Sequence, residues 1–205
     1  MHSDGSFKKE EETGYGMRGA VYMRLGKCRS TGKQVCHLLD AVSRSQKLVC
    51  RSAFGFELLA ACGAADGLQA FLLAMHEMVH GPASADEIRR LREEGGYAIP
   101  AEVVIDGMSV FSALLMHPAR APSENSMAGH LWWLSDQLRT KQIDDMLRCD
   151  TRDMLADPIT KGSFGREVIF GVMNGKFAYA HDTVRFSKEK CNNTVPSSKH
   201  SALKE

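Results

Sequence analysis

The sequence lacks three features that would each assign it to a broad class of protein. Residues 1–10 contain no apolar signal-peptide core, and no stretch of the 205 residues approaches the roughly 18 consecutive apolar residues of a membrane span. The six cysteines form no Cys-x-x-Cys pair. We therefore expect no membrane partner, reduced thiols rather than a disulfide framework, and a cytoplasmic or nuclear location.

The sequence also lacks an excess of charge of either sign. It contains 26 Lys and Arg against 25 Asp and Glu, a net charge of +1, which argues against a histone-like binder. The charge is nevertheless unevenly distributed. Residues 17–51 contain eight basic residues and one acid, a net +7, whereas residues 52–170 contain ten basic residues and seventeen acids, a net −7. The sequence is therefore compatible with a local basic surface.

The hydrophobic pattern changes between the period of strands and the period of helices. Short apolar or alternating runs bounded by turn residues predict strands over 1–7, 17–25, 34–42, 102–105 and 146–149. Apolar residues that recur at helical spacing predict helices over 52–80, within 83–100, after 107, over 127–139 and after 151. This order predicts an α/β fold in which helices pack on a mixed sheet.

The chain is predicted to form one folded domain and a tail. We expect the domain over residues 1–172, with its first strand truncated at the start of the chain. From about residue 176 the composition becomes rich in Lys, Asn and Ser. Residues 173–205 are therefore expected to be a polar, disordered tail.

Four acidic residues stand next to apolar segments rather than within polar loops. Asp4 lies on the first strand, Asp106 ends a short apolar strand, and Glu57 and Asp157 stand beside apolar helical residues. An acid in such a position costs free energy unless it is paired or binds a metal ion. Sites in α/β proteins collect at strand ends, Mg²⁺ prefers oxygen ligands, and two such ions about 4 Å apart can hold both reacting oxygens of a phosphodiester. The alternative is that some of them, such as Asp153 or Asp157, are surface acids at helix N-termini.

The four acids lie in four segments that follow one another in order along residues 2–162. The segments are His2–Phe7, Arg51–Glu57, Ile105–Val110 and Thr151–Gly162. They correspond to a strand Asp, a Ser-(Thr/Ser)-x-x-Ala-Glu helix start, a strand-terminal Asp followed by a helix, and a closing Ala-Asp-x-x-Thr-Lys. In this order they resemble the ribonuclease H domain of copia-type retrotransposon polyproteins, and the closing segment is the most specific of the four.

The resemblance implies both a fold and an activity. The fold would be RNase H-like, a mixed five-stranded sheet flanked by helices. The activity would be cleavage of the RNA strand of RNA–DNA hybrids by two-metal-ion hydrolysis during reverse transcription, beside a reverse transcriptase domain in a longer polyprotein. Asp4, Glu57, Asp106 and Asp157 would be the catalytic and metal-binding acids. The cofactor would be two Mg²⁺ ions, which Mn²⁺ could replace.

A hybrid is recognised largely through phosphate and 2′-hydroxyl contacts across its minor groove, which calls for basic residues. The net +7 segment is the candidate surface. Its candidate nucleic-acid-binding residues are Arg18, Lys27, Arg29, Lys33, Arg44, Lys47 and Arg51. The alternative is a basic hairpin face that contacts only solvent.

Two other functions remain open. The first is a catalytically inactive retroelement relic that still binds nucleic acid, since Pro158 directly follows the last acid and lacks an N–H. The second is a zinc metalloprotease, since His76, Glu77 and His80 match the His-Glu-x-x-His motif, which places two imidazoles on one helix face with Glu as the base. Gly81-Pro82 ends the predicted helix directly after the second histidine, which weakens that match.

Overall fold

The structure is a computed structural model that describes residues 1–6, 16–116, 122, 124–161 and 167–186. Within these residues the strands are β1 (His2–Ser6), β2 (Gly16–Lys27), β3 (Gln34–Gln46), β4 (Glu102–Ile105), β5 (Asp145–Arg148) and β6 (Val184–Arg185). The helices are α1 (Ala53–His80), α2 (Ala85–Glu94), α3 (Met108–Leu115), α4 (Ala128–Arg139), α5 (Asp157–Thr160) and α6 (Glu167–Met173). Two 3₁₀ turns, Asn125–Met127 and Thr151–Asp153, precede α4 and α5.

The strands form one mixed sheet in the order β3-β2-β1-β4-β5-β6. β2 pairs antiparallel with β1 and β3, β4 pairs parallel with β1 and β5, and β6 pairs antiparallel with β5. The prediction of a mixed sheet flanked by helices is therefore confirmed. The described sheet has six strands where five were predicted. The hydrophobic pattern missed β6 because two exposed residues show no alternation.

α1 covers one face of the sheet together with α3 and α4. Its start is fixed by Ser52, whose hydroxyl accepts the Gly55 N–H at 3.2 Å and donates to the Glu124 carboxylate at 2.8 Å. The main hydrophobic core lies beneath this layer, and Leu58 and Phe111 are among its fully buried side chains. The cap and the core together determine where the first turns of α1 lie over β1.

The segment from residue 154 to α5, together with α6, covers the opposite face of the sheet. Val21 of β2 packs with Leu155 and with Val172 of α6, and Leu147 of β5 packs with Met154. The sheet is thus buried on both faces. This second layer brings the start of α5 close to β1.

The chain around residue 151 differs in detail from its prediction. The sequence predicts one helix there, whereas the structure has a 3₁₀ turn followed by the short α5. Pro158 occupies the first turn of α5. A proline is tolerated at this position because the first N–H groups of a helix have no intrahelical partner. Pro158 therefore does not disrupt the segment that carries Asp157.

The chain remains packed on the sheet beyond residue 172, so the prediction of a disordered tail from residue 173 is corrected. β6 pairs with β5, and the Phe186 N–H donates to the Met146 carbonyl at 2.8 Å. Phe177 is partly buried against the core on the α6 side. A few aromatic residues anchor this mainly polar segment, and composition alone does not reveal them. Residues 187–205, which the same prediction covers, lie outside the described residues.

α1 is long and apolar enough to cross a membrane by length and composition, with an 18-residue window of mean hydropathy 1.6. A count of consecutive apolar residues missed this because residues such as Gly63 and Asp66 interrupt the run. A buried core helix meets the same criterion, and 44% of the window is buried inside the structure. The absence of a membrane partner remains a prediction.

Candidate functional site

Three of the four predicted acids meet at one end of the two central strands of the sheet, β1 and β4. Asp4 lies on β1, Asp106 directly follows β4, and Asp157 is the first residue of α5. One carboxylate oxygen of each lies within 4.8 Å of the others. The parallel register that pairs His2 with Val104 places Asp4 level with Asp106. We call Asp4, Asp106 and Asp157 the carboxylate cluster.

Glu57, the fourth predicted acid, approaches the carboxylate cluster from the second turn of α1. Its Oε2 accepts a hydrogen bond from the Ser109 hydroxyl at 3.4 Å. Burial, and then the negative charges of Asp106 and Asp4, raise the pKa of Glu57 to about 6. Glu57 is thus an electrostatic neighbour of the cluster, although it lies outside the set of three oxygens within 4.8 Å.

Two glycines allow Glu57 to lie this close to the sheet. A Cβ atom at Gly107, the residue after Asp106, would lie 1.9 Å from Glu57 Oε2. A Cβ atom at Gly5 would lie 2.7 Å from the carbonyl oxygen of Phe56. Since real side chains do not reach such distances, a larger residue at Gly107 would displace the Glu57 carboxylate, and a larger residue at Gly5 would push the α1 backbone away from β1.

α5 supplies two further groups that contact the cluster. The Thr160 hydroxyl donates to Asp4 Oδ2. The Lys161 ammonium, just past the end of α5, lies 2.7 Å from Asp157 Oδ1 and 3.8 Å from Asp4 Oδ2. The side chains of Asp4 and Asp157 are each only 4% exposed, so Lys161 is a counter-charge in a poorly solvated place.

The 3₁₀ turn before α5 contacts the third carboxylate. The Thr151 hydroxyl donates to Asp106 Oδ2 at 3.1 Å. Each carboxylate of the cluster therefore has a partner from the segment 151–161, in which Asp157 itself lies. The position of this segment determines how the carboxylates are arranged.

Burial and nearby negative charge oppose the ionised forms of Asp157 and Asp106. Burial raises the pKa of Asp157 to about 6 against the opposing hydrogen bond from Lys161. Burial, followed by the charge of Asp4, also raises the pKa of Asp106. A bound cation would favour the ionised carboxylates and reverse these shifts.

The chemistry of the cluster suits a metal ion. Asp4, Asp106 and Asp157 each offer one oxygen, and among the described residues they form the one group of three or more His, Cys, Asp or Glu side chains with ligand atoms this close together. Oxygen-only donor sets favour hard divalent cations over zinc, for which nitrogen and sulfur are the common ligands. This buried acidic cluster could therefore hold a metal ion.

The structure divides the seven predicted nucleic-acid-binding residues among three places. Lys47 and Arg51 are exposed in the connection between β3 and α1. β3 ends at Gln46, which pairs with Gly16 of β2. The next β2 residue, Met17, pairs with Ser6, the last residue of β1. These two cations therefore lie at the end of the sheet that carries the carboxylate cluster.

Arg18 and Arg44 are cross-strand neighbours on β2 and β3. They line a groove of about 500 Å³ between these strands and α1. Asp40 and Asp66 line the same groove, so its charge is mixed. Arg18 pairs with Gly5 next to Asp4, which places its side chain on the opposite face of the sheet from that carboxylate.

The remaining three cations lie at the far end of the hairpin. β2 runs away from the cluster, and its last residue, Lys27, lies eight residues beyond Gly19, the partner of Asp4. At 3.2–3.4 Å per residue this is a separation of about 26 Å. Arg29 and Lys33 lie in the turn that follows. The seven residues do not form one basic surface, because the strand register separates residues that are close in sequence.

The His-Glu-x-x-His residues hold the end of α1 against the segment that follows it. Buried His76 accepts the Ala98 N–H at Nδ1, at 3.2 Å, and its Nε2 lies 3.4 Å from the Glu87 carboxylate. Glu77 accepts the Ala83 N–H at 3.1 Å, and His80 is exposed. The described residues place no third ligand with the two histidines.

Sequence reasoning assigned no role to Thr151, Thr160 or Lys161. Thr160 and Lys161 follow Asp157 by three and four residues, the spacing that brings helical side chains to one side, so a signal for them was present. Thr151 carried no such signal, because its contact with Asp106 depends on the path of the 3₁₀ turn.

Comparisons of the chain with family models, with curated proteins and with solved structures found no match.

Proposed function

We propose that the chain is a metal-dependent endonuclease of the ribonuclease H type that cuts the RNA strand of RNA–DNA hybrids. The observation that carries this proposal is the convergence of Asp4, Asp106 and Asp157 within 4.8 Å. They come from three distant segments, and each segment resembles the corresponding motif of copia-type ribonuclease H domains. The mixed sheet flanked by helices supports an RNase H-like fold.

The proposed cofactor is a pair of Mg²⁺ ions, which Mn²⁺ could replace. Asp4, Asp106 and Asp157, with Glu57 beside them, would hold the ions, because carboxylate oxygens are the ligands these cations prefer. Bound there, the ions supply an activated water and charge stabilisation at the leaving oxygen.

The chain's own residues prepare this site. Burial in the cluster excludes water and strengthens the attraction of the carboxylates for cations. Thr160 and Thr151 orient the carboxylates of Asp4 and Asp106 through hydrogen bonds. Such partners of metal ligands normally determine the orientation and affinity of the site.

The proposed substrate contacts begin with Lys47 and Arg51. Both side chains are exposed and lie at the cluster end of the sheet, where phosphates flanking the cut would pass. Lys27, Arg29 and Lys33 would contact the duplex only at a distance of about 26 Å from the cluster. We also propose that the chain works beside a reverse transcriptase domain, which would supply the hybrid.

The test is cleavage of an end-labelled RNA paired with DNA, in the presence of Mg²⁺. The parent chain should cut the RNA strand of the hybrid and leave RNA–RNA and DNA–DNA duplexes intact. Asp106→Asn should abolish cutting, because it removes a negative charge at an oxygen of the cluster. Asp136→Asn is the matched control, since Asp136 is an exposed residue on α4 whose carboxylate pairs with Arg139.

Two results would contradict the proposal. Equal cutting by the parent and Asp106→Asn would place the activity elsewhere. A parent that binds the hybrid by fluorescence anisotropy but does not cut it with either Mg²⁺ or Mn²⁺ would favour the inactive relic. Pro158 no longer supports that alternative, because it lies in the first turn of α5.

A further inference from the structure

Residues 176–186, which we call the clasp, hold the 3₁₀ turn that precedes α5. The His181 backbone N–H donates to Asp153 Oδ2 at 2.8 Å, and His181 Nδ1 lies 3.1 Å from Asp153 Oδ1. The Asp153 side chain is 8% exposed and that of His181 is 32% exposed, so these are partly buried contacts, and the carboxylate makes them charge-assisted. The same turn contains Thr151, which donates to Asp106.

The clasp also packs against β1 beside Asp4. The hydroxyl of Tyr179 lies 3.2 Å from Nε2 of His2, and the two rings stack with centroids 5.8 Å apart. His2 is fully buried, and its Nδ1 accepts the Leu155 N–H at 3.5 Å. Phe177 closes the group, with its ring 4.9 Å from that of Tyr179. The clasp therefore contacts both β1 and the segment that leads to Asp157.

The far end of the clasp is anchored on the sheet. The Arg185 guanidinium donates to Glu102 at 2.6 Å and to Asp145 at 2.7 Å, at the first residues of β4 and β5. The Phe186 N–H donates to the Met146 carbonyl at 2.8 Å. These contacts are with β4 and β5, so they attach the clasp to the sheet at a place separate from the 3₁₀ turn.

We infer that the clasp positions the carboxylate cluster by two routes. Its contact with Asp153 holds the 3₁₀ turn that contacts Asp106, and its contact with His2 holds the segment that leads to Asp157. The inference rests on the proposed function for its link to metal binding. Asp153, Tyr179 and His181 are positioning residues, since none of them belongs to the cluster. Removing a partner that orients metal ligands typically weakens metal binding by about 10–100-fold.

The test compares two substitutions of Asp153 in the full chain. Asp153→Ala removes both contacts with His181. Asp153→Asn loses the same charge but keeps an oxygen that accepts the His181 N–H. The pair therefore separates the hydrogen bonds from the charge, and Asp136→Ala on α4 controls for the loss of a surface acid.

The first measurement is hydrogen–deuterium exchange of peptides that cover residues 150–161, made without metal. Asp153→Ala should exchange faster there than the parent, whereas Asp153→Asn and Asp136→Ala should match it. The second measurement is Mn²⁺ affinity by electron paramagnetic resonance. Asp153→Ala should bind Mn²⁺ about tenfold more weakly, and Asp153→Asn should recover most of the loss.

The outcomes separate this inference from the proposed function. Unchanged exchange in Asp153→Ala would overturn the inference that the clasp positions the cluster. An equal loss of Mn²⁺ affinity in Asp153→Ala and Asp153→Asn would also overturn it, because the loss would then come from the missing charge and not from the hydrogen bonds. A parent that binds no Mn²⁺ would overturn the proposed metal site, and exchange would then decide the clasp by itself. If Asp153→Ala does not fold, Tyr179→Phe replaces it in the test, because it removes only the hydroxyl that contacts His2. Hydrogen–deuterium exchange near Leu155 should then be faster than in the parent, and unchanged exchange would overturn the inference.

Discussion

The carboxylate cluster and the segment 76–80 both come from sequence patterns that predict a metal site, yet their surroundings differ. The cluster joins Asp4, Asp106 and Asp157 from distant parts of the chain, and their oxygens approach within 4.8 Å. In the segment 76–80, the buried His76 is held by Ala98 and Glu87, and Glu77 is held by the Ala83 N–H. The acids of the cluster repel one another and Asp4 and Asp157 share the counter-charge of Lys161, whereas the groups of the helix end have partners close to them in sequence.

Side chains that tertiary structure brings together indicate a functional site more strongly than a contiguous motif does. A contiguous motif can arise by chance and be used to join two helices, as residues 76–80 join α1 to α2. Where tertiary structure brings three carboxylates together, burial and the charge of Asp4 raise the pKa of Asp106 and Asp157, and the group needs a compensating positive charge. Such an unfavourable arrangement is typical of functional sites.

The largest expected difference between the two regions is in hydrolysis of the hybrid. Asp4→Asn should lower the cleavage rate by more than about 100-fold, because even partners of metal ligands contribute 10–100-fold. Glu77→Gln, the same chemical change in the segment 76–80, should leave the rate within about twofold. The measurement is single-turnover cleavage with Mg²⁺. A loss of activity in Glu77→Gln with Asp4→Asn unaffected would reverse the comparison.

Much of this contrast could be predicted from the sequence. The four motifs identified Asp4, Glu57, Asp106 and Asp157, because each motif combines an acid with a recognisable strand or helix boundary. The distances between them could not be predicted, because they depend on the parallel pairing of β1 with β4 and on the path into α5.

The sequence was least informative where tertiary packing decides. The seven basic residues looked like one surface because they are close in sequence, but the antiparallel register places Lys27 about 26 Å from the cluster. The clasp looked like a tail because most of its residues are polar. Its order depends on Tyr179, His181 and Arg185 meeting partners that precede them by 28 to 177 residues.

A second difference lies in the lysine counter-charge of the cluster. Lys161→Met should strengthen Mg²⁺ binding by about tenfold, since a positive charge 2.7 Å from Asp157 opposes a bound cation. Without metal the same variant should lose about 1–3 kcal/mol of unfolding free energy, because two buried carboxylates lose the partner that Lys161 provides. Calorimetric titration and urea unfolding measure the two effects.

The two effects of Lys161→Met have opposite signs, which makes the prediction specific. Lys141→Met is the control, since Lys141 is exposed and donates to the Asp144 carbonyl away from the cluster. If Lys161→Met weakened Mg²⁺ binding, Lys161 would be assisting the bound cation, and its role as a competing counter-charge would be wrong.

A third difference is in the response to pH. The folded pKa values of Glu57 and Asp157, about 6, lie above their usual values of 4.5 and 3.8. These groups therefore stabilise the fold fully below about pH 4, and this contribution is lost as the pH rises through 6. Mg²⁺ should compensate for that loss by binding the ionised form.

Thermal unfolding at pH 5.0 and 7.5, with and without Mg²⁺, tests this pH dependence. The increase in Tm on adding Mg²⁺ should be larger at pH 7.5, where a concentration 100 times the Kd contributes about 2.7 kcal/mol. Asp106→Asn should reduce the increase, and Glu77→Gln should not. An equal increase at both pH values would mean that Mg²⁺ binds somewhere other than these acids.

The smallest expected effect is at His80. Its side chain is exposed at the last residue of α1, beside the ring of His76 at a centroid distance of 4.6 Å. His80→Ala should change the unfolding free energy by less than about 0.5 kcal/mol, as is usual for surface positions. Zn²⁺ should raise the Tm of the parent and of His80→Ala by the same small amount, because the described residues offer His76 and His80 no third ligand. The contrary result is a tight Zn²⁺ site that disappears in His80→Ala while the cluster still binds Mg²⁺. Both regions would then bind metal ions, and the local hydrogen bonds of residues 76–80 would not prevent metal binding.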